Sequence, residues 1–449
     1  MAKMFMLIIF YSLQLGSAGA DRPVEKILIR NCEIKGDGVS TATAVQMTGR
    51  VSAKVHNVVF YNNKAHEFGD MDTDTDQDAA ALIVADYCSD IWILNNEFYH
   101  CTAGVRTGGA WYTESDPDNS HHIYIGYNKI HHILQNGLAI KYGTDHIYSQ
   151  NEIYSIIDTK WSPSKGIGFQ YAPKRLWIIG NIIYDCNNGI RAASDDSRVD
   201  TSVYMIGNII KDIHIDGTSV YGQDYGLGID INDGHGPRYI ANNTIYDVDV
   251  GISNSYYRSQ MYIYNNIIAD VDVAHIFLHS EYGSFHTSSA DYNLFDLPVR
   301  IFWDRSVVYD LPAFKDTGEC EHCLSGNVNF VNPQGDNFRL SQSSPAIDMG
   351  ADLSIYNYFE SLYGISIRKD VNNVVRPQND AWDIGAYEYV GTGNYADEDV
   401  NQDGAVTVND VQIVVNVILG TTSNNRADVN GSGTTDVQDV QAVVNEVIG

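Results

Sequence analysis

Three cations stand out in this 449-residue chain, which carries 28 basic against 57 acidic residues and a formal charge of −29. They are Arg106, Lys141 and Arg191, and each falls in a short alternating segment: "GVRTG" (104–108), "GLAIK" (137–141) and "GIRAA" (189–193). "GIGFQ" (166–170), "GLGID" (226–230) and "GISNS" (251–255) align with them on the leading glycine, and "LIVAD" (82–86) joins by spacing. Second and fourth positions are mostly apolar (Val105, Leu138, Ile140, Ile167, Phe169, Ile190, Leu227, Ile229). In an extended strand these share one face, so third and fifth positions share the other. The outward columns then read Val84, Arg106, Ala139, Gly168, Arg191, Gly228, Ser253, and Asp86, Gly108, Lys141, Gln170, Ala193, Asp230, Ser255. Small residues broken by a few long polar ones describe a shallow groove with reaching groups. A lysine between two arginines loses its proton more easily, because neighbouring positive charge lowers its pKa. It could then remove a proton α to a carboxylate while the guanidinium groups neutralise the charge that develops. Lys141 is the candidate base, Arg106 and Arg191 its partners. Asp86, Gln170 and Asp230 are candidate substrate ligands, with Asp86 and Asp230 also able to hold a Ca²⁺ ion. The plainer reading of Lys141, a solvated side chain, stays open.

A second chemistry lies near the C-terminus. "DVNQDGAVTVNDVQIVVNVILG" and "DVNGSGTTDVQDVQAVVNEVIG" repeat one register 29 residues apart. Oxygen-bearing residues recur at loop positions 1, 3, 5, 9 and 12, with glycine at 6 for the sharp turn, the logic of an EF-hand-type Ca²⁺ loop. The first site would use Asp399, Asn401, Asp403, Thr407 and Asp410, the second Asp428, Asn430, Ser432, Asp436 and Asp439. Aspartate at position 12 and the duplication resemble a type I dockerin over 399–449, behind a linker at 391–398. That resemblance implies two bound Ca²⁺ ions, a cohesin-type protein partner and a polysaccharide context. The positions that face a cohesin in such modules are Val408-Asn409 and Val437-Gln438.

The elements that position the cations repeat along the chain. "LIRNCEI", "KVHNVVF", "ILNNEFY", "IGYNKIH", "YSQNEIY", "IIGNIIY", "MIGNIIK", "IANNTIY", "IYNNIIA" and "ADYNLFD" share one asparagine phase, at residues 31, 57, 96, 128, 151, 181, 208, 243, 266 and 293. A period of roughly 25 with alternation of two inside it predicts a solenoid of short parallel strands. Asparagine at one phase predicts a stacked amide ladder. This resembles the right-handed parallel β-helix of pectate-lyase-like proteins, covering 21–300. "SPAIDMG" and "DIGAYEY" resemble the closing segment of secreted β-helix proteins, so 301–390 is expected to supply the last rungs and a cap. The first resemblance implies that "AIKYGTDHIYSQNEI" is a lysine-bearing rung, as in lyases that cleave uronate polysaccharides by β-elimination. Trp111, Tyr112, Trp161, Tyr171, Tyr221 and Tyr225 are then rim aromatics able to stack on sugars.

Two rivals follow from the same residues. A glycoside hydrolase needs two carboxyls about 5–10 Å apart; Asp230 with Asp233 in "DINDGHG", which resembles polygalacturonase-type sequences, would serve. A non-catalytic polysaccharide-binding or surface protein is the other. Adjacent histidines in a strand point to opposite faces, which argues against metal at His121-His122 and His131-His132. "DMDTDTDQD" (70–78) reads as a solvated acidic loop, with Ca²⁺ binding as the alternative. Cys101 and Cys186 share a phase three rungs apart, too far for a disulfide, whereas Cys320-x-x-Cys323 is either a local bridge or half a metal site, the bridge being favoured because there is no second pair. The acidic balance argues against nucleic acid as a partner. "MAKMFMLIIFYSLQLGSAGA" (1–20) reads as a secretory signal, predicting an exported, monomeric protein beginning at Asp21.

Overall fold

The computed structural model describes residues 6–8, 13–16, 22–40, 42–74, 79–108, 120–195, 201–215, 217–231, 236–254, 259–278, 288–303, 307–391, 397–401, 406–420, 422–424 and 426–448. They form two compact units, Met1–Val328 and Asn329–Gly449.

In the first unit, successive turns of chain stack as parallel strands on three faces. One runs through Val24–Arg30, Val55–Tyr61, Cys88–Leu94 and His121–Gly126. The second runs through Cys32–Lys35, Lys64–Phe68 and the starts of Glu97–Thr107 and Lys129–Ser149. The third carries the predicted groove. Its inward residues Val105, Leu138, Ile140, Ile167, Phe169, Ile190, Ile229 and Ile252 lie in one continuous apolar core. Each such burial contributes about 1.5–3 kcal/mol. Cys101 and Cys186 are buried free thiols, Cys101 pairing in register with Ile133 and that with Ile156. Cys320 and Cys323 form a disulfide. Strands at Met6–Ile8 and Leu13–Leu15 pair with Cys32–Lys35 and Val45–Met47.

The ladder is present, with its phase corrected at the front. Asn63, Asn96, Asn128, Asn151, Asn181, Asn208, Asn243, Asn266 and Asn293 form it. At its centre, Asn151 donates from its backbone N at 3.0 Å and from Nδ2 at 2.9 Å to Asn181 Oδ1. Asn181 repeats the pattern onto Asn208 Oδ1, both bonds at 3.0 Å. Asn31 and Asn57 lie outside the ladder. Asn31 precedes the slot, which Cys32 fills by donating its N–H to Asn63 Oδ1 at 2.9 Å. Asn57 sits within a strand of the first face. Both have φ near +55°. The residue before each ladder asparagine is also left-handed, as at Asn62, Asn95, Tyr127, Gln150, Gly180 and Gly207, so the turn is written as a left-handed residue followed by asparagine.

The second unit holds an antiparallel pair, Phe330–Asn332 with Asn337–Leu340, and a helix at Ser354–Tyr363. The parallel rungs end at Leu324–Ser325. The two motifs of the closing segment lie against each other: Asp348 N–H donates to Asp383 Oδ1 at 2.7 Å and Ile384 N–H to Ala346 O at 3.0 Å. A buried Arg376–Glu388 pair at 3.0 Å pins the second motif. Two further helices, Val408–Ile418 and Val437–Ile448, pack through Val400, Val414, Ala427, Val429 and Val443.

Candidate functional site

Stacking glycines set the groove register. A Cβ on Gly104, Gly137, Gly166, Gly189 or Gly228 would collide with the carbonyl oxygen of Gly137, Gly166, Gly189, Gly228 or Gly251 on the next rung. Only glycine allows that approach. The outward column is Gln46, Ile83, Arg106, Ala139, Gly168, Arg191, Asp230, Ser253, Phe277 and Phe302. Two sequence alignments therefore shift. The leading glycine of the Asp230 rung is Gly228, not Gly226, which moves Asp230 two places into the Arg191 column. "LIVAD" moves by one, so Val84 is buried in the core and Ile83 faces outward. A one-residue slip reverses every side chain of a strand. Asp86 follows that strand, half-buried, with its carbonyl accepting from Gly49 N–H at 2.7 Å.

Lys141 and Arg106 are half-buried and one rung apart. Lys141 stands at a bulge: Ile140 faces Phe169 and Tyr142 faces Ala172, so Gln170 and Tyr171 together oppose Lys141. Bulges re-aim side chains and recur beside active sites. Tyr171 is left-handed (φ 60°) and its ring stacks on Tyr142 with centroids 5.1 Å apart. Arg191 Nε lies 3.1 Å from Asp230 Oδ2. Its Nη1 donates to Gln223 Oε1 at 2.9 Å and to Asn188 Oδ1 at 3.3 Å. Burial lifts the Asp230 carboxyl to about 6, against the opposing pull of Arg191 and a Ser253 hydrogen bond. Asp230 is thus Arg191's counter-ion at the groove floor. Asp233, Trp111 and Tyr112 fall outside the described residues.

Sequence reasoning missed Lys165. It is 4 % exposed, and burial first, then the charge of Arg191, push its ammonium down to about 7 against the opposing field of Asp158. Two loops frame it. In 158–164, Asp158 Oδ1 accepts from Ser164 N–H at 2.6 Å and Thr159 Oγ1 from Ser162 N–H at 3.1 Å. Trp161 projects from this loop, 61 % exposed, with Nε1 donating to Asp74 O at 3.2 Å. The loop 214–226 brings in Gln223 and the exposed rings of Tyr221 and Tyr225. Its base is tied by Asp249, whose Oδ2 accepts from Gly226 N–H at 2.5 Å and Ile215 N–H at 3.1 Å. His214 there lies 2.7 Å from Asp249 Oδ1 and 2.8 Å from Asp247 Oδ1. Burial opposes its charge, yet these bonds hold its pKa above the ordinary value.

The histidine doublets do meet, with ring nitrogens 2.7 Å apart at His121-His122 and 2.8 Å at His131-His132. His122 and His132 are left-handed, which breaks the alternation expected of a strand.

In the C-terminal loops, Asp399, Asp410 and Asp439 are buried. Asp410 accepts from Asn401 N–H at 3.1 Å and Thr407 N–H at 2.8 Å. Asp439 matches it with Asn430 N–H at 3.0 Å and Asp436 N–H at 2.8 Å. Asp428 accepts from Ser432 and Gly433 N–H groups, and Gly433 takes φ +90°. Among the described residues no basic side chain pairs with Asp410 or Asp439. Buried carboxylates in an all-oxygen loop without a counter-ion fit Ca²⁺. Asp403 falls outside the described residues. A family model, "Dockerin type I domain", matches 397–448. Residues 397–448 are a dockerin type I domain. A dockerin implies a cohesin partner, and dockerin type I domains bind calcium. Val408 and Val437, at the expected cohesin-facing positions, are exposed.

No curated protein sequence matches the chain. Solved structures similar to it include pectate lyase Pel9A, 13% identical, covering 84% of this chain and 82% of that one, with TM-score 0.47. The complex of XylC with xylose is 11% identical, with coverages of 80% and 67% and TM-score 0.39. A mutant DFA-IIIase from Arthrobacter chlorophenolicus A6 in complex with DFA-III is 10% identical, with coverages of 86% and 89% and TM-score 0.31. No described helix is long and apolar enough to cross a membrane.

Proposed function

We propose that this is an exported, carbohydrate-active enzyme that cleaves a uronate-containing polysaccharide by β-elimination and is carried by its dockerin to a cohesin. The observation behind this reading is the shared groove of Arg106, Lys141 and Arg191 in a chain of charge −29. An anionic polymer would find three cations gathered on one face of a chain that is acidic as a whole.

Lys141, re-aimed by the bulge, takes the proton α to the substrate carboxylate. Arg106, one rung away, neutralises that carboxylate and the enolate-like charge. Arg191 is oriented by Asp230, Asn188 and Gln223 and adds its charge to that of Arg106. With Asp230 engaged by Arg191, a groove Ca²⁺ has no place in this scheme. Trp161, Tyr221 and Tyr225 supply stacking surface along the rim.

Incubation with a panel of uronate polysaccharides tests the reading. Ultraviolet absorbance from an unsaturated product is the expected result. New reducing ends without absorbance would make the protein a hydrolase, and neither signal would make it a binding module.

A further inference from the structure

Lys165 is unused by the scheme above, and its surroundings define a second chemistry. Its Nζ bonds two atoms: Ser162 Oγ at 2.8 Å and Pro163 O at 3.1 Å. No carboxylate forms an ion pair with it among the described residues. The amine is enclosed, so any proton it takes or returns passes beside the Ser162 hydroxyl. Ser162 is half-exposed, next to the exposed Trp161. A half-exposed hydroxyl, backed at hydrogen-bond distance by a buried amine that a third group orients, is a nucleophile–base pair.

We infer that Ser162 and Lys165 form a catalytic dyad that hydrolyses O-acyl esters, with O-acetyl groups on the glycan as the substrate class. The glycan part of this inference rests on the polysaccharide reading above; the dyad does not. Burial does most to favour the neutral amine at Lys165; Arg191 from the next rung adds to it, while Asp158 from the same loop opposes it. The 158–164 loop holds the serine in place. Thr159 Oγ1 accepts from the N–H groups of Trp161 at 3.3 Å and Ser162 at 3.1 Å, and Thr159 N–H donates to Ser162 O at 3.0 Å. Ser162 Oγ also lies 3.3 Å from Pro163 O, the carbonyl that Lys165 shares.

The reaction runs in two balanced halves. Ser162 Oγ bonds to the ester carbonyl carbon as its proton passes to neutral Lys165 Nζ. The ester C–O bond then breaks, and the sugar alkoxide leaves with that proton. Water attacks the acyl-serine, Lys165 takes the water's proton and returns it to Ser162 Oγ, and the free acid departs.

The full chain, with p-nitrophenyl acetate and an acetylated polysaccharide as probes, tests this by release of nitrophenol and acetate. The rate should rise as pH passes about 7, where Lys165 becomes neutral. A fluorophosphonate should label Ser162, located by peptide mass mapping. Ser162→Ala should lose ester cleavage by about a hundredfold or more and lose the label. Lys165→Met should lose the rise with pH. Should Lys165→Met fail to fold, Ser162→Ala still decides, because its side chain is half-exposed and its melting temperature can be checked. A label elsewhere, or Ser162→Ala cleaving at the parent rate, would overturn the dyad. Elimination is read by absorbance and ester cleavage by acetate, so either reading can fail alone.

Discussion

In the loop from Asp428 to Asp439, every residue meant for the cation lies in one contiguous stretch, and the position-12 carboxylate closes on backbone amides of the same loop. In the groove, Arg106 and Arg191 stand three rungs apart, about 14 Å along the axis at the strand spacing, and Arg191 finds its counter-ion on the next rung. Local spacing defines the first site. Stacking register defines the second, through glycines that bring consecutive rungs together. Sites of the first kind should respond to ligand removal as a unit, whereas those of the second should respond residue by residue.

Chelation is the widest test of that contrast. EGTA should abolish cohesin binding and melt 397–448, a loss on the order of 4 kcal/mol if calcium normally stands at a thousand times its Kd. Elimination by the groove should persist. Calorimetry of the full chain beside a lyase assay would show it, and loss of both together would erase the distinction.

Next in size is Lys141→Ala, expected to lower kcat for elimination by about 10²–10⁴ while leaving calcium binding intact. Full activity would move the base elsewhere in the groove.

Asn181→Ala probes the scaffold. It strands amide donors of Asn151 and removes the bonds from Asn181 Nδ2 to Tyr148 O and Asn208 Oδ1. Each unsatisfied buried group costs about 1–3 kcal/mol, so denaturant unfolding of the first unit should shift by about 3 kcal/mol. A surface-like shift would mean that the ladder is ornamental.

The smallest effect concerns Lys165. Its folded pKa of about 7 lies below the ordinary 10.5, so between these values the unfolded chain binds more protons and stability rises with pH. From pH 7 to 9 the parent should gain about 2 kcal/mol relative to Lys165→Met. Parallel curves would place Lys165 in solvent.

Much of this was legible in advance. Alternation told which residues of "GLAIK" face inward, and the doubled acidic register marked the dockerin loops. Legibility failed at "GLGID", which offers two glycines in the correct phase; which one stacks on Gly189 and Gly251 depends on how much chain the preceding loop consumes. It failed again at Asn57, a left-handed asparagine that resembles a ladder residue. Lys165 carried no signal, because a lysine after "SPS" looks solvated until its loop folds over it.

The period, the inward face of strands such as "GLAIK" and the doubled register of the dockerin loops could be read from the chain alone, because they follow from spacings of a few residues along one backbone. That Arg191 meets Asp230, that Lys141 stands at a bulge and that Lys165 is buried against Ser162 came from the folded chain. Those pairings depend on the register of one rung on the next and on loops of unequal length, which no local periodicity encodes.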